Sequence, residues 1–172
     1  LGLLNVVVSI YNRLVMLNNN VDKSFVNIDV LLKQRADEIP NLIKVVKESM
    51  RFEESLLTKL TDLRTQYLNA TSAEEKVELS NQMQTQLKSI FAVAENYPDI
   101  KTSQSFLSLQ SRVSQIEDAI ADRREFYNES VTMYNIGIEE FPNLILAKIM
   151  LYKKKQLLQI SEQEKKYDGI TL

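Results

Sequence analysis

The chain has no cysteine, no histidine and no tryptophan, and only three glycines and three prolines in 172 residues. Each shortage excludes a class of chemistry or fold. Without His or Cys there is no serine or cysteine triad, no zinc centre and no di-iron bundle built on Glu-x-x-His. Gly2, Gly137 and Gly169 lie too far apart to make a phosphate-cradling loop, so Rossmann and P-loop sites are excluded. An all-β domain needs a turn about every ten residues, far more than these glycines and prolines supply. An excess of charge of one sign is missing too. Twenty-one basic against 23 acidic residues leave a net charge of −2 and a pI near 5.4, with no basic footprint for nucleic acid. The lack of cysteine itself assigns no redox compartment. No catalytic residue set and no cofactor is expected. The length suits one domain with a single core.

Helical periodicity is what remains. An apolar residue, a proline, an Asn or Asp and another apolar residue recur at Ile39-Pro40-Asn41-Leu42, Tyr97-Pro98-Asp99-Ile100 and Phe141-Pro142-Asn143-Leu144. Proline disfavours helical geometry in the residue before it and suits the first turn of a helix, so each site predicts a break. A fourth break is expected at 69–72, where Ser72 and Glu75 have capping-box spacing. Between the breaks, apolar residues recur at steps of three and four. Examples are Leu14, Val21, Ile28 and Leu32; then Leu42, Val46, Leu60 and Leu63; then Leu79, Met83, Leu87 and Ile90; then Val113, Ile120, Val131 and Ile138. The expected fold class is all-α: a long antiparallel up-and-down four-helix bundle with a short extra C-terminal helix. A helix running on through Pro40, merely kinked there, is the rival arrangement. The bundle is expected over 11–141, with a C-terminal amphipathic helix and tail over 142–172.

Residues 1–10 are apolar apart from Asn5 and Ser9. They are expected to be the remnant of an N-terminal membrane-spanning helix, or else a helix end packed on the bundle. Ten residues reach about half-way through a bilayer's hydrocarbon core. Near the other terminus, Leu144 to Tyr152 is almost wholly apolar and leads into Lys153, Lys154 and Lys155. With Lys148, these are candidate membrane-surface contacts, the ammonium groups facing headgroup phosphates. A helix folded over the open end of the bundle explains the same pattern.

Polar residues interrupt the apolar seams at Asn18, Arg35, Glu53, Glu117 and Arg124, with Asp29 one position off. They read as an interior polar network fixing helix register. The other possibility is a carboxylate cluster for a ligand or a hard cation, which without His would be Mg, Ca or Mn. Two Tyr-Asn pairs, Tyr127-Asn128 and Tyr134-Asn135, lie seven residues apart, so they share one helix face; Tyr11-Asn12 is a third. Tyrosines packed at a seam account for them, as does an aromatic ring at a membrane interface.

The ordered set Tyr11-Asn12-Arg13-Leu14-Val15, Ile28-Asp29-Val30, Leu32-Lys33, Arg35, Asp37 and Ile39-Pro40-Asn41-Leu42 resembles the opening signature of LemA-type proteins. The resemblance continues at Val46-Lys47, Glu53, Ala92 to Glu95, Tyr97-Pro98-Asp99 and Phe106 to Gln110. It closes with Glu117, Arg124, Tyr127-Asn128, Tyr134-Asn135 and Phe141-Pro142. Phe25 stands where such proteins usually have Trp, and Phe52 where a His commonly precedes Glu53. The resemblance implies a bacterial-type protein with a helical bundle behind an N-terminal membrane-spanning helix. One branch of the family is associated with building membrane-bounded organelles, and no catalytic residues come with it. The expected function is therefore a non-enzymatic, membrane-anchored scaffold or interaction module. It would sit at the cell membrane with the bundle outside the bilayer. Its partners would be the membrane, an unidentified protein and, through the apolar end, further copies of itself, with no nucleic acid.

Overall fold

The computed structural model describes residues 1–158, apart from the side chain of Phe52. The described residues are all-helical, without strands: α1 (Gly2–Val46), α2 (Glu54–Asn69), α3 (Ala73–Ala94), α4 (Pro98–Lys101), α5 (Gln104–Glu139) and α6 (Asn143–Ile149). The chain forms two compact units. One joins Leu1–Asp29 to the chain from Ala121 onward, and the other is Val30–Ile120.

In the unit Val30–Ile120, the expected break at Pro40 does not occur. Helix α1 runs through the proline to Val46, and the chain reverses later, through turns at 47–50 and a 3-10 turn at Arg51–Glu53. An interior proline costs about 3 kcal/mol, partly because the carbonyl four residues back loses its N–H partner. Here that carbonyl belongs to Ala36, and Arg64 of α2 donates its Nε–H to it at 3.0 Å. Continuing the helix also keeps Leu42 and Val46 on the buried stripe that carries Leu32, Ala36 and Ile39. Fully burying such side chains is worth about 1.5–3 kcal/mol each, enough to offset the proline.

The α3 seam follows the heptad spacing: Leu79, Met83, Leu87, Ile90 and Ala94 are all buried. Its start is fixed as the sequence suggested, with the Ser72 side chain accepting the Glu75 N–H at 3.2 Å. Helices α2 and α3, joined through Ala70–Ser72, pack along each other. Helix α4 begins with proline in its first turn, and Phe91 meets Phe106 edge-on at 5.7 Å.

In the other unit, Leu14, Leu17 and Val21 of α1 pack against Val131, Tyr134 and Ile138 of α5 and Ala147 of α6. The helices approach closely at Gly137, where a Cβ would run into the Leu17 side chain. Asn143, buried at the start of α6, donates its side-chain amide to the Gly137 carbonyl, one of the carbonyls left without a partner at the end of α5. Ser24 and Ser130 share a hydroxyl hydrogen bond at 3.0 Å, and Arg13 pairs with Glu140 at 3.4 Å.

The helix expected to continue into the three lysines stops at Ile149. Tyr152 N–H bonds to the Ala147 carbonyl and Leu151 N–H to the Lys148 carbonyl, the paired contacts of a Schellman helix end. That motif needs a left-handed residue, which here is Leu151 at φ 58°. The chain then turns back along α5 with no regular secondary structure from Tyr152 to Leu158. The last part of the expected C-terminal tail, 159–172, lies outside the described residues.

Candidate functional site

The residues expected to form an interior polar network fall into both units. Arg35, Glu53 and Glu117 belong to Val30–Ile120, while Asn18, Asp29 and Arg124 belong to the other unit. Arg35 is 1% exposed and is among the largest fully buried side chains. Its guanidinium donates to the Ser80 carbonyl at 3.0 Å and to the Ser80 hydroxyl at 2.8 Å, fastening α1 to α3. Glu53, in the 3-10 turn, and Glu117, on α5, are half-buried. Asn18, Asp29 and Arg124 are also half-buried, and Asp29 and Arg124 are both engaged with other groups. Among the described residues no three carboxylates gather as they would around a metal ion.

Polar fasteners that the sequence did not single out complete the Val30–Ile120 unit. Arg112 of α5 meets Glu38 of α1 through two near-parallel bonds of 3.1 and 3.2 Å, and Arg64 holds the Ala36 carbonyl. Neither arginine interrupts an apolar seam, so periodicity gave no reason to pick it out.

The lysines after α6 are placed by the returning segment. Lys154 pairs with Glu139 at 2.7 Å. Lys155 lies 3.7 Å from Asp22, and its ammonium sits 5.0 Å from the centroid of the Tyr134 ring. Lys148 and Lys153 are exposed. The returning segment, 152–158, is a strap held mainly through its backbone. The Asn135 side chain donates to the Lys155 carbonyl and accepts the Lys155 N–H, both at 2.9 Å. Two turns back on the same face, Asn128 does the same to Leu158 at 3.2 and 2.9 Å. The Tyr134 hydroxyl donates to the Lys153 carbonyl at 3.0 Å, and its ring packs against Tyr152 at 5.9 Å.

The spacing explains the match. Seven helical residues rise about 10.5 Å, and three residues of near-extended chain cover about 10 Å. Asparagines seven apart therefore meet strap residues three apart. Burial raises the Tyr134 pKa above its usual value; Tyr152 and Asp22 add to the rise, and the Lys153 carbonyl partly opposes it. The Tyr-Asn pairs thus do more than fill a seam: each tyrosine packs while the asparagine beside it is free to grip a backbone. Tyr127, for its part, meets Phe25 edge-on at 6.0 Å.

A different surface lies at the helix ends. Leu3, Leu4, Val6, Val7 and Val8 of α1 are all exposed, and core packing begins only at Ile10. The expectation of a packed helix end is therefore not met. Phe141, Ile145, Ile149 and Leu151 are exposed as well. The Arg13–Glu140 pair sets the turn before α6 beside residue 13, so the bare turns of α1 extend beyond that level. Among the described residues no helix is long and apolar enough to cross a membrane, so no described helix carries the single-pass crossing expected from the sequence.

These features define an all-helical protein with a bare apolar helix end and a helix face that grips its own C-terminal strap. The chain belongs to the LemA family, whose pattern it matches over residues 24–170. It is 27% identical over 156 residues to protein LemA of Metamycoplasma hominis, covering 90% of this chain and 71% of that one. It is also similar to magnetosome proteins. MamQ 2 of Paramagnetospirillum magneticum is 25% identical over 175 residues, covering 87% of this chain and 64% of the relative. MamQ of Magnetospirillum gryphiswaldense is 22% identical over 170 residues, with 84% and 62% covered. The chain thus spans less than two thirds of the length of these magnetosome relatives.

Proposed function

We propose that this protein is a non-enzymatic, membrane-associated helical scaffold, held to the bilayer by the apolar start of α1 with its helical body outside. The observation that carries this reading is the exposure of Leu3, Leu4, Val6, Val7 and Val8, which turn a broad apolar face to solvent and leave only the narrow strip of Asn5 and Ser9 polar. A helix that serves only a water-facing protein keeps a polar face towards solvent. Ten residues give about 15 Å of helix, half the depth of the hydrocarbon core, so crossing would need further apolar residues upstream of Leu1. The likeness to proteins named for the magnetosome supports a role in organising membrane. Exposed Phe141, Ile145, Ile149 and Leu151 supply apolar contacts near the same helix end, and Lys148 and Lys153 supply cations for anionic headgroups. Lys154 and Lys155 are the weaker surface contacts because carboxylates already face them.

Cosedimentation with phosphatidylcholine vesicles, with and without phosphatidylserine, tests the reading. The chain is expected to bind both, more strongly when the vesicles are anionic and the salt is low. Leu3→Asp with Val7→Asp should abolish binding to both compositions. Lys148→Gln with Lys153→Gln should remove only the salt-sensitive part, about 1 kcal/mol per lysine at most. If the unsubstituted chain stays in the supernatant with both vesicle types, the proposal fails.

A further inference from the structure

The strap is gripped by features that any copy of this chain also carries, and its attachment point is strained. Five hydrogen bonds hold it, one from Tyr134 and two each from Asn135 and Asn128, and every one ends on strap backbone. Its side chains add charge complementarity, basic Lys154 and Lys155 against acidic Glu139 and Asp22. Past Tyr152, which packs on the core, Leu157 is exposed and Leu158 half-buried. The residue from which it departs, Leu151, is 81% exposed and left-handed at φ 58°, a conformation that a leucine adopts only under constraint. Beyond Tyr152, attachment chiefly through backbone bonds and a strained, exposed pivot place residues 153–158 among the parts of the protein that open most easily.

We propose that the Asn128–Tyr134–Asn135 face of α5 is a self-association site whose occupant in trans is the 153–158 strap of a second copy. An exchanged strap makes the same backbone bonds and the same ion pairs with the face as its own, and opening the left-handed turn at Leu151 relieves its strain in exchange for the two bonds that close the end of α6. Reciprocal exchange closes a symmetric pair, while one-way exchange leaves a free strap and a free face to recruit the next copy. The strap on its own chain has the advantage of high effective concentration, so exchange grows as the protein is concentrated. The inference stands independently of membrane binding.

The absence of cysteine makes the test clean. Full-length Glu139→Cys and Lys154→Cys chains, carrying tags of different mass, are mixed and treated with a short bis-maleimide. Those two side chains face each other across the strap contact. A hetero-crosslinked species of twice the monomer mass is expected, with a yield that rises with protein concentration. Asn128→Ala with Asn135→Ala should abolish it when placed on the Glu139→Cys chain, which offers the face. On the Lys154→Cys chain, which offers the strap, the same pair should raise the yield by freeing that strap. The Glu139→Cys/Lys154→Cys double variant controls for reactivity by closing on itself. If it closes while the mixture gives no hetero-product, exchange does not occur. Equal loss of yield whichever chain carries the asparagine substitutions would also overturn the proposal. Circular dichroism of the asparagine variant separates either result from loss of fold.

Discussion

Leu151 and Ser80 show how single positions hold this protein together. A leucine in left-handed geometry costs about 1–2 kcal/mol relative to helical geometry, and at 81% exposure this one recovers little by packing. Leu151→Gly removes that cost but loosens the unfolded chain. The expected net is a gain of about 0.5–1 kcal/mol in urea unfolding; a loss of stability would mean that the leucine side chain makes a contact worth more than the strain. Ser80 offers two acceptors to a buried guanidinium. Ser80→Ala leaves an Arg35 N–H facing a methyl group and should cost about 1–3 kcal/mol. Arg35→Met should cost less than Arg35→Ala, because it fills the volume without burying a charge. If the two variants cost the same, the guanidinium stabilises the fold through its bonds rather than by occupying space. Arg35 was legible in the sequence as a charge on an apolar stripe. Ser80 was not, since a serine on a helix carries no signal until its neighbour is known.

At the scale of elements, the helical character and the seam of α3 could be read directly from spacing, as could the Ser72 cap. Pro40 misled because the argument from proline is local, whereas the compensation comes from another helix. Nothing near residue 40 announces that Arg64 will reach the Ala36 carbonyl. The link is testable as a double-mutant cycle. Arg64→Ala should cost about 1–2 kcal/mol with Pro40 present, because a backbone carbonyl loses its donor. In a Pro40→Ala background the residue-40 N–H is restored to that carbonyl, and the Arg64 substitution should cost markedly less. The coupling expected is about 0.5–1.5 kcal/mol. Strict additivity would mean that Arg64 acts through packing of its stem alone. The strap was illegible for a related reason. The two Tyr-Asn pairs stand out in the sequence, but asparagines that read backbone leave no complementary pattern in the residues they bind.

Over the whole molecule, the strap joins α5, α6 and the end of the described chain, so its state should register in overall stability. Tyr134 supplies a handle, being buried against Tyr152 with its hydroxyl on the Lys153 carbonyl. Its pKa is raised in the folded protein, chiefly by burial. Between the usual tyrosine value of about 10 and the raised one, the folded state keeps a proton that the unfolded state has lost. The folded state then binds more protons, so stability falls as pH climbs. The contribution is complete below about pH 10 and is lost on passing up through the folded value. The informative quantity is the difference between the parent chain and Tyr134→Phe, in which contributions common to both chains cancel. At pH 7 the phenylalanine variant should be less stable by about 0.5–1.5 kcal/mol, the usual net worth of one hydrogen bond. Above pH 10 the gap should shrink, because phenylalanine has no proton to lose and no charge to bury. Urea midpoints of the two chains, measured from pH 7 to pH 11, check this. A gap that stays constant across the range would show that the phenol is ionised as easily folded as unfolded, and that the strap does not seal it from solvent.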